Sequence, residues 1–115
     1  MERTLIAGLR QSIGQKVRIQ GFLQTLRDQK KMQFLILRDT TGLVQVAHYR
    51  PANEELANQI STLTVESAIT ITGTVVDNPI VKLNGLEVQL ETLSVDGPAQ
   101  SPVPFDPFAE TLPMI

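Results

Sequence analysis

Phe34-Leu35-Ile36-Leu37-Arg38-Asp39-Thr40-Thr41-Gly42-Leu43-Val44-Gln45-Val46 holds two alternating apolar runs on either side of a four-residue turn. Period-two alternation marks a half-buried strand, and Gly42 gives the turn a residue free to take a positive φ. The stretch reads as a hairpin with strands over 32–38 and 43–49. Parity then assigns the faces. Leu35 and Leu37 point inward with Val44 and Val46. Phe34, Ile36 and Arg38 point outward with Leu43, Gln45 and Ala47.

The flanking sequence adds three more strands. Residues 16–24 alternate, with Val17, Ile19 and Leu23 against Arg18, Gln20 and Gln24. Gly21 falls on the apolar side, which suggests a bend or bulge. Residues 4–14 read as a short helical or irregular lead-in, with Leu5, Ile6 and Leu9 at helical spacing and a stop at Gly14, and residues 27–31 as a polar connection. Pro51 to about Ser61 reads as a helix: proline in the first turn, Glu54 and Glu55 at the positive end, Leu56 and Ile60 at i,i+4. Residues 67–76 form a fourth strand, with Ile69, Ile71 and Val75 opposite Thr70, Thr72 and Thr74. Asn78-Pro79 and Asn84-Gly85 bracket a loop, and residues 86–95 form a fifth strand with Glu87, Gln89 and Glu91 outward.

Three strands, a helix and two strands form an all-β domain: a five-stranded OB-fold Greek-key barrel with one helix between strands 3 and 4. A small barrel with another strand order has the same periodicity and stays open. The expected division is a folded domain over residues 1–97 and an extended tail over 98–115, which holds five of the seven prolines.

Composition narrows the function. The 115 residues fit one small domain. Cysteine is absent, which excludes disulfides, thiolate metal sites and thiol nucleophiles. There is a single histidine, His48, read as structural or surface. No apolar run approaches the ~20 residues of a membrane span, and Met1-Glu2-Arg3-Thr4 does not open a secretion signal, so a cytoplasmic domain without a membrane partner is expected. The net charge of −2 conceals a split. Residues 1–50 carry nine bases and three acids, a balance of +6; residues 51–115 carry one base, Lys82, and nine acids, a balance of −8. Such a chain does not coat nucleic acid indiscriminately, but its first half leaves room for a basic patch.

In this fold the face of strands 2 and 3 and the 1–2 and 4–5 loops commonly bind oligonucleotides or oligosaccharides. Phe34 on that face would either stack on an unpaired base or tuck against a neighbouring loop. Gln45 offers a paired donor and acceptor for a base edge, or is simply solvated. Arg27, Lys30 and Lys31, in or near the 1–2 loop, suit phosphates or open water. Glu87 repels phosphates but can accept from a cytosine amino group. The sequence has no phosphate loop, dinucleotide glycine motif or nucleophile elbow, and calls for no cofactor.

Val17-Arg18-Ile19-Gln20-Gly21-Phe22-Leu23 followed by the Phe34–Val46 run resembles the N-terminal anticodon-binding domain of aspartyl-tRNA synthetases and their asparaginyl relatives, the class IIb enzymes. Ile69-Thr70-Ile71-Thr72-Gly73-Thr74-Val75 and Gly85-Leu86-Glu87-Val88 continue the likeness, which covers roughly residues 3–105. The resemblance implies that Phe34 stacks on the central anticodon base, a uridine, and that Gln45 reads it. It implies that Glu87 lies near the third anticodon base and that Arg27 is a basic residue of the 1–2 loop. Phe22 stands where that family usually has tryptophan, and Asp77–Val81 lacks bases that some bacterial members carry. The class II aminoacylation motifs are absent. The expectation is therefore an RNA-binding module for Asp- or Asn-type tRNA with no aminoacylation of its own. The rival expectations are a protein-interaction module, docking a synthetase or itself through Ile36, Leu43 and the tail, and a generic single-strand binder.

Overall fold

The computed structural model describes residues 2–83 and 85–97. The expected tail, residues 98–115, lies outside them, as do Met1 and Asn84. Five strands close into a barrel: β1 (Lys16–Asp28), β2 (Met32–Asp39), β3 (Gly42–Tyr49), β4 (Ala68–Asp77) and β5 (Leu86–Gly97). The order around the barrel is β1-β2-β3-β5-β4, and β4 returns to β1. All pairings are antiparallel except the short β3–β5 seam, which is parallel. This is the OB-fold arrangement.

The alternating positions fill the barrel. Ile19, Leu23, Leu35, Leu37, Val44, Val46, Ile69, Ile71, Val75 and Val88 have no exposed surface. A strand that must pair with both β2 and β4 has to bend, and β1 does so near Gly21. Residues 16–22 pair with β4 and residues 22–28 with β2. A Cβ on Gly21 would lie 2.6 Å from the Arg38 carbonyl oxygen, so the close approach at this corner admits only glycine.

Helix α1 (Glu54–Ser61) caps one end of the barrel with Leu56, Ala57 and Ile60. It begins later than the sequence implies. Arg50–Ala52 is a separate 3-10 turn carrying Pro51, and the Asn53 side chain accepts from the Leu56 N–H as the true N-cap. The fully buried Gln33 ties the helix to the sheet. Its Nε2 donates to the Ala57 carbonyl at 3.0 Å and its Oε1 lies 2.9 Å from His48 Nδ1.

A 3-10 helix over Ile6–Ser12 closes the other end with Ile6 and Leu9, as the lead-in spacing implies. The β2–β3 turn holds it. Asp39 Oδ1 accepts from Thr41 N–H (2.7 Å), Thr41 Oγ1 (2.6 Å) and Gly42 N–H (3.1 Å), while Oδ2 accepts from Ile6 N–H (2.9 Å). Partial burial pushes the Asp39 carboxyl up, but these bonds outweigh it and hold the group below its ordinary range. Gly42 does not use a positive φ, contrary to the sequence reading; the aspartate side chain shapes the turn instead.

Candidate nucleic-acid interface

The barrel register sets two parallel rows of side chains on one outer face. Thr25, Ile36, Gln45 and Glu87 are successive partners across β1, β2, β3 and β5. Arg27, Phe34, Ala47 and Gln89 form the next row, two residues along each strand. Phe34 and Gln45 are thus diagonal neighbours on one face, a spacing of roughly 7–8 Å between backbones. Ala47, directly beside Phe34, is buried and does not line the groove.

A bulge delivers Arg27 to this face. Uninterrupted alternation would continue the inward set Ile19, Gly21 and Leu23 through Thr25 to Arg27, turning a guanidinium into the core. The β1–β2 register instead shifts between Leu23 and Thr25, so Leu26 pairs with Leu35 and packs against the core. Arg27 pairs with Phe34 and is exposed. It belongs to β1 rather than to the 1–2 connection, because that strand runs on to Asp28.

The loop between β4 and β5 rises over these rows as a wall, and the two enclose a groove of about 700 Å³. Arg27, Phe34, Gln45 and Glu87 all line it, so the structure brings four of the six expected residues together. Phe34 is half-buried: its ring is neither sealed in the core nor fully in water. Lys30 and Lys31 do not line the groove. They are exposed in the turn just before Met32, which itself lines the groove.

The sequence points to the 4–5 loop as a binding element but singles out no residue in it. From this loop Asn78, Ile80, Val81, Lys82 and Leu83 line the groove, with Met32 and Thr25 from the strands. Asn78 Nδ2 donates to Glu87 Oε1 at 2.6 Å, and the loop is closed by Val81 N–H to the Asn78 carbonyl (2.9 Å) and Asn78 N–H to the Gly85 carbonyl (2.9 Å). Ile80 is 89% exposed, unusual for so large an apolar side chain, and faces the groove. Lys82 is the lone base of the second half of the sequence.

The groove's charges are mixed, with Arg27 and Lys82 set against Glu87. That balance suits selection of particular bases more than bulk attraction to phosphate. Of the apolar residues expected to serve self-association, Ile36 lines this groove and Leu43 an adjoining one. Among the described residues no helix is long and apolar enough to cross a membrane.

Residues 17–95 match the tRNA anticodon family of OB-fold nucleic acid binding domains. The chain belongs to this family. It is similar to the aspartate–tRNA(Asp/Asn) ligase of Thermus thermophilus, with 36% identity over 104 residues, 90% of this chain and 22% of that protein. It is also similar to the asparagine–tRNA ligase of Pelotomaculum thermopropionicum, with 40% identity over 96 residues, 83% of this chain and 22% of that protein. Among solved structures, the asparaginyl-tRNA synthetase of Pyrococcus horikoshii in complex with asparaginyl-adenylate superposes with a TM-score of 0.79 at 28% identity. That match covers 96% of this chain and 26% of the synthetase. The chain therefore spans about a quarter or less of the relatives it matches. What it shares with them is the anticodon-binding OB-fold domain.

Proposed function

We propose that the groove binds the unpaired anticodon loop of a tRNA of Asp or Asn type, with a uridine at its centre. The Phe34 ring is the stacking surface for that uridine, and exposed Ile80 lies on the opposite wall to cover the base from the other side. Gln45, one diagonal step away, presents an amide donor and acceptor to the uridine edge. Glu87, beside Gln45 across the parallel seam, accepts from the amino group of the adjacent base. Arg27 neutralises a loop phosphate, and Lys30 and Lys31 steer the approach. On this reading the chain recognises RNA and performs no aminoacylation alone.

The single observation that carries the reading is the convergence of Phe34, Gln45, Arg27 and Glu87 on one groove. The test is titration of an anticodon stem-loop at fixed salt, with uridine or cytidine at the central position. The uridine loop binds tighter, and Phe34→Ala weakens it by about tenfold or more, in line with a stacking loss of roughly 1–3 kcal/mol. Equal affinity of Phe34→Ala and the parent chain removes the groove from RNA recognition.

A further inference from the structure

A depression of about 500 Å³ lies on the corner where β1 leaves β4 for β2, and it shares no residue with the groove. Gly97, Ala68, Phe22 and Arg38 are successive partners across β5, β4, β1 and β2, and the last three line it. Leu5 and Phe22, 42% and 45% exposed, give it an apolar surface that the barrel leaves uncovered. The Phe22 ring is braced from one side. The Arg38 guanidinium stands 5.5 Å from its centroid and is held by both oxygens of Glu66, at 2.7 and 3.2 Å.

The charges at this corner are unevenly matched. Arg38 is paired with Glu66. Asp39 spends both oxygens on Ile6, Thr41 and Gly42, and Asp96 accepts from Thr70 and Ser94. Arg3, bridged alongside β1 at Arg18, also lines the depression. Its guanidinium meets the neutral Gln20 Oε1 at 3.5 Å and has no ion pair among the described residues.

The segment that leaves this corner complements it. Asp96 lines the depression and Gly97 pairs with Ala68 on its wall, so residues 98–115 begin at its edge. They carry two acids, Asp106 and Glu110, and no base, and they hold two of the four phenylalanines, Phe105 and Phe108. Prolines at 98, 102, 104 and 107 favour an extended path, and such segments dock on exposed aromatic surfaces at low entropic cost. Three strand spacings, about 14 Å, separate Gly97 from Arg38, whereas the chain from Gly97 to Phe105 extends to about 25 Å. Phe105 and Asp106 therefore reach every part of the depression. Tethering at its edge gives the segment a high effective concentration there, so modest contacts suffice to seat it.

We propose that the depression at the β1 corner is the docking site for the chain's own segment 98–110, with the Phe105 ring against Phe22 and the Asp106 carboxylate against Arg3. This assigns an intramolecular role to Phe22 and Arg3, neither of which takes part in the RNA reading, and the proposal stands independently of that reading.

The experiment uses the full chain with isotope-labelled phenylalanine. Nuclear Overhauser cross-peaks join the Phe22 and Phe105 rings in the parent chain. Chymotrypsin cuts Phe22→Ser after Phe108 about tenfold faster than it cuts the parent, because cleavage follows the undocked population. Arg3→Glu raises the rate about threefold, and adding Asp106→Arg to it restores the parent rate. Both Arg3 and Phe22 are exposed, and the charge pair supplies a test that does not depend on the aromatic variant folding. Absence of the cross-peak in the parent overturns the proposal, as does failure of Asp106→Arg to restore protection in Arg3→Glu. A cross-peak that fades on dilution, with a sedimentation mass of two chains, gives the segment to a second copy and overturns it equally.

Discussion

Asn78 Nδ2 donates a 2.6 Å hydrogen bond to Oε1 of Glu87, tying the first residue of the β4–β5 loop to the strand that follows it. Glu87 is half-buried and sits between Gln45 and the loop wall, so this bond orients the one acid of the groove and fixes the wall's position. Asn78→Ala removes it. A hydrogen bond to an ionised group contributes about 1.5–3 kcal/mol when buried, and partial exposure brings the expected loss of stability here to about 1 kcal/mol. Urea denaturation reads that loss. On the proposed function, preference among bases next to the central uridine also flattens while affinity for the uridine itself changes little; a variant with unaltered base preference would detach Glu87 from base selection.

Charge in the groove and charge near it have different consequences. Arg27 lines the groove directly opposite Phe34, whereas Lys30 and Lys31 project from the turn. Arg27→Gln is expected to weaken a stem-loop several-fold and to lower its salt slope by about 0.7. Lys30→Gln and Lys31→Gln each slow association at low salt and alter the dissociation rate little. Stopped-flow binding at two salt concentrations separates the cases. A lysine variant that raises the dissociation rate as much as Arg27→Gln does would mean that the turn contacts the bound RNA.

The hairpin from Phe34 to Val46 was legible because one buried face enforces strict alternation, and that alone put Phe34 and Gln45 on the same outer surface. Arg27 was legible in chemistry but not in position. Its place on the groove depends on a register shift at Gln24 that no pattern in Leu23-Gln24-Thr25-Leu26 announces, since a bulge is settled by pairing with β2. The loop wall was illegible for a related reason. Asn78 and Ile80 line the same groove as Phe34 only because β3 and β5 join in parallel across a long sequence separation, and local periodicity carries no information on that seam. Lys30 and Lys31 are the converse case: a basic cluster near a binding loop is plain in the sequence, but its place outside the groove's lining is set by the hairpin.

Gly21 was read as a bend and is one, but the constraint is a collision rather than a dihedral angle. Its backbone lies against the Arg38 carbonyl where β1 leaves β4 for β2. Gly21→Ala forces two backbones apart, because a carbonyl oxygen cannot move aside as a side chain would. The expected cost is about 2 kcal/mol or more, seen as a fall in Tm of roughly 10 °C. Unchanged thermal unfolding would show that the corner is loose enough to open.

His48 gives the fold a pH dependence of definite sign. Gln33 Nε2 donates to Ala57, so its Oε1 must accept, and the His48 proton sits on Nδ1. His48 Nε2 is then a bare acceptor, buried with no partner among the described residues. Protonating it would place a desolvated cation near Arg50. Burial first, and the Arg50 charge second, hold the imidazole below its ordinary pKa of 6.5. The unfolded chain takes up this proton more readily than the folded one. Stability from His48 is therefore complete above about pH 6.5 and is lost as pH falls through the lowered folded value. Urea unfolding at pH 7.5 and 5.5, above the range where carboxylates titrate, should show the chain less stable at the lower pH. His48→Asn retains an amide donor for Gln33 but cannot titrate, and its stability should be level across that interval. A slope that persists in the variant would assign the proton uptake to another group.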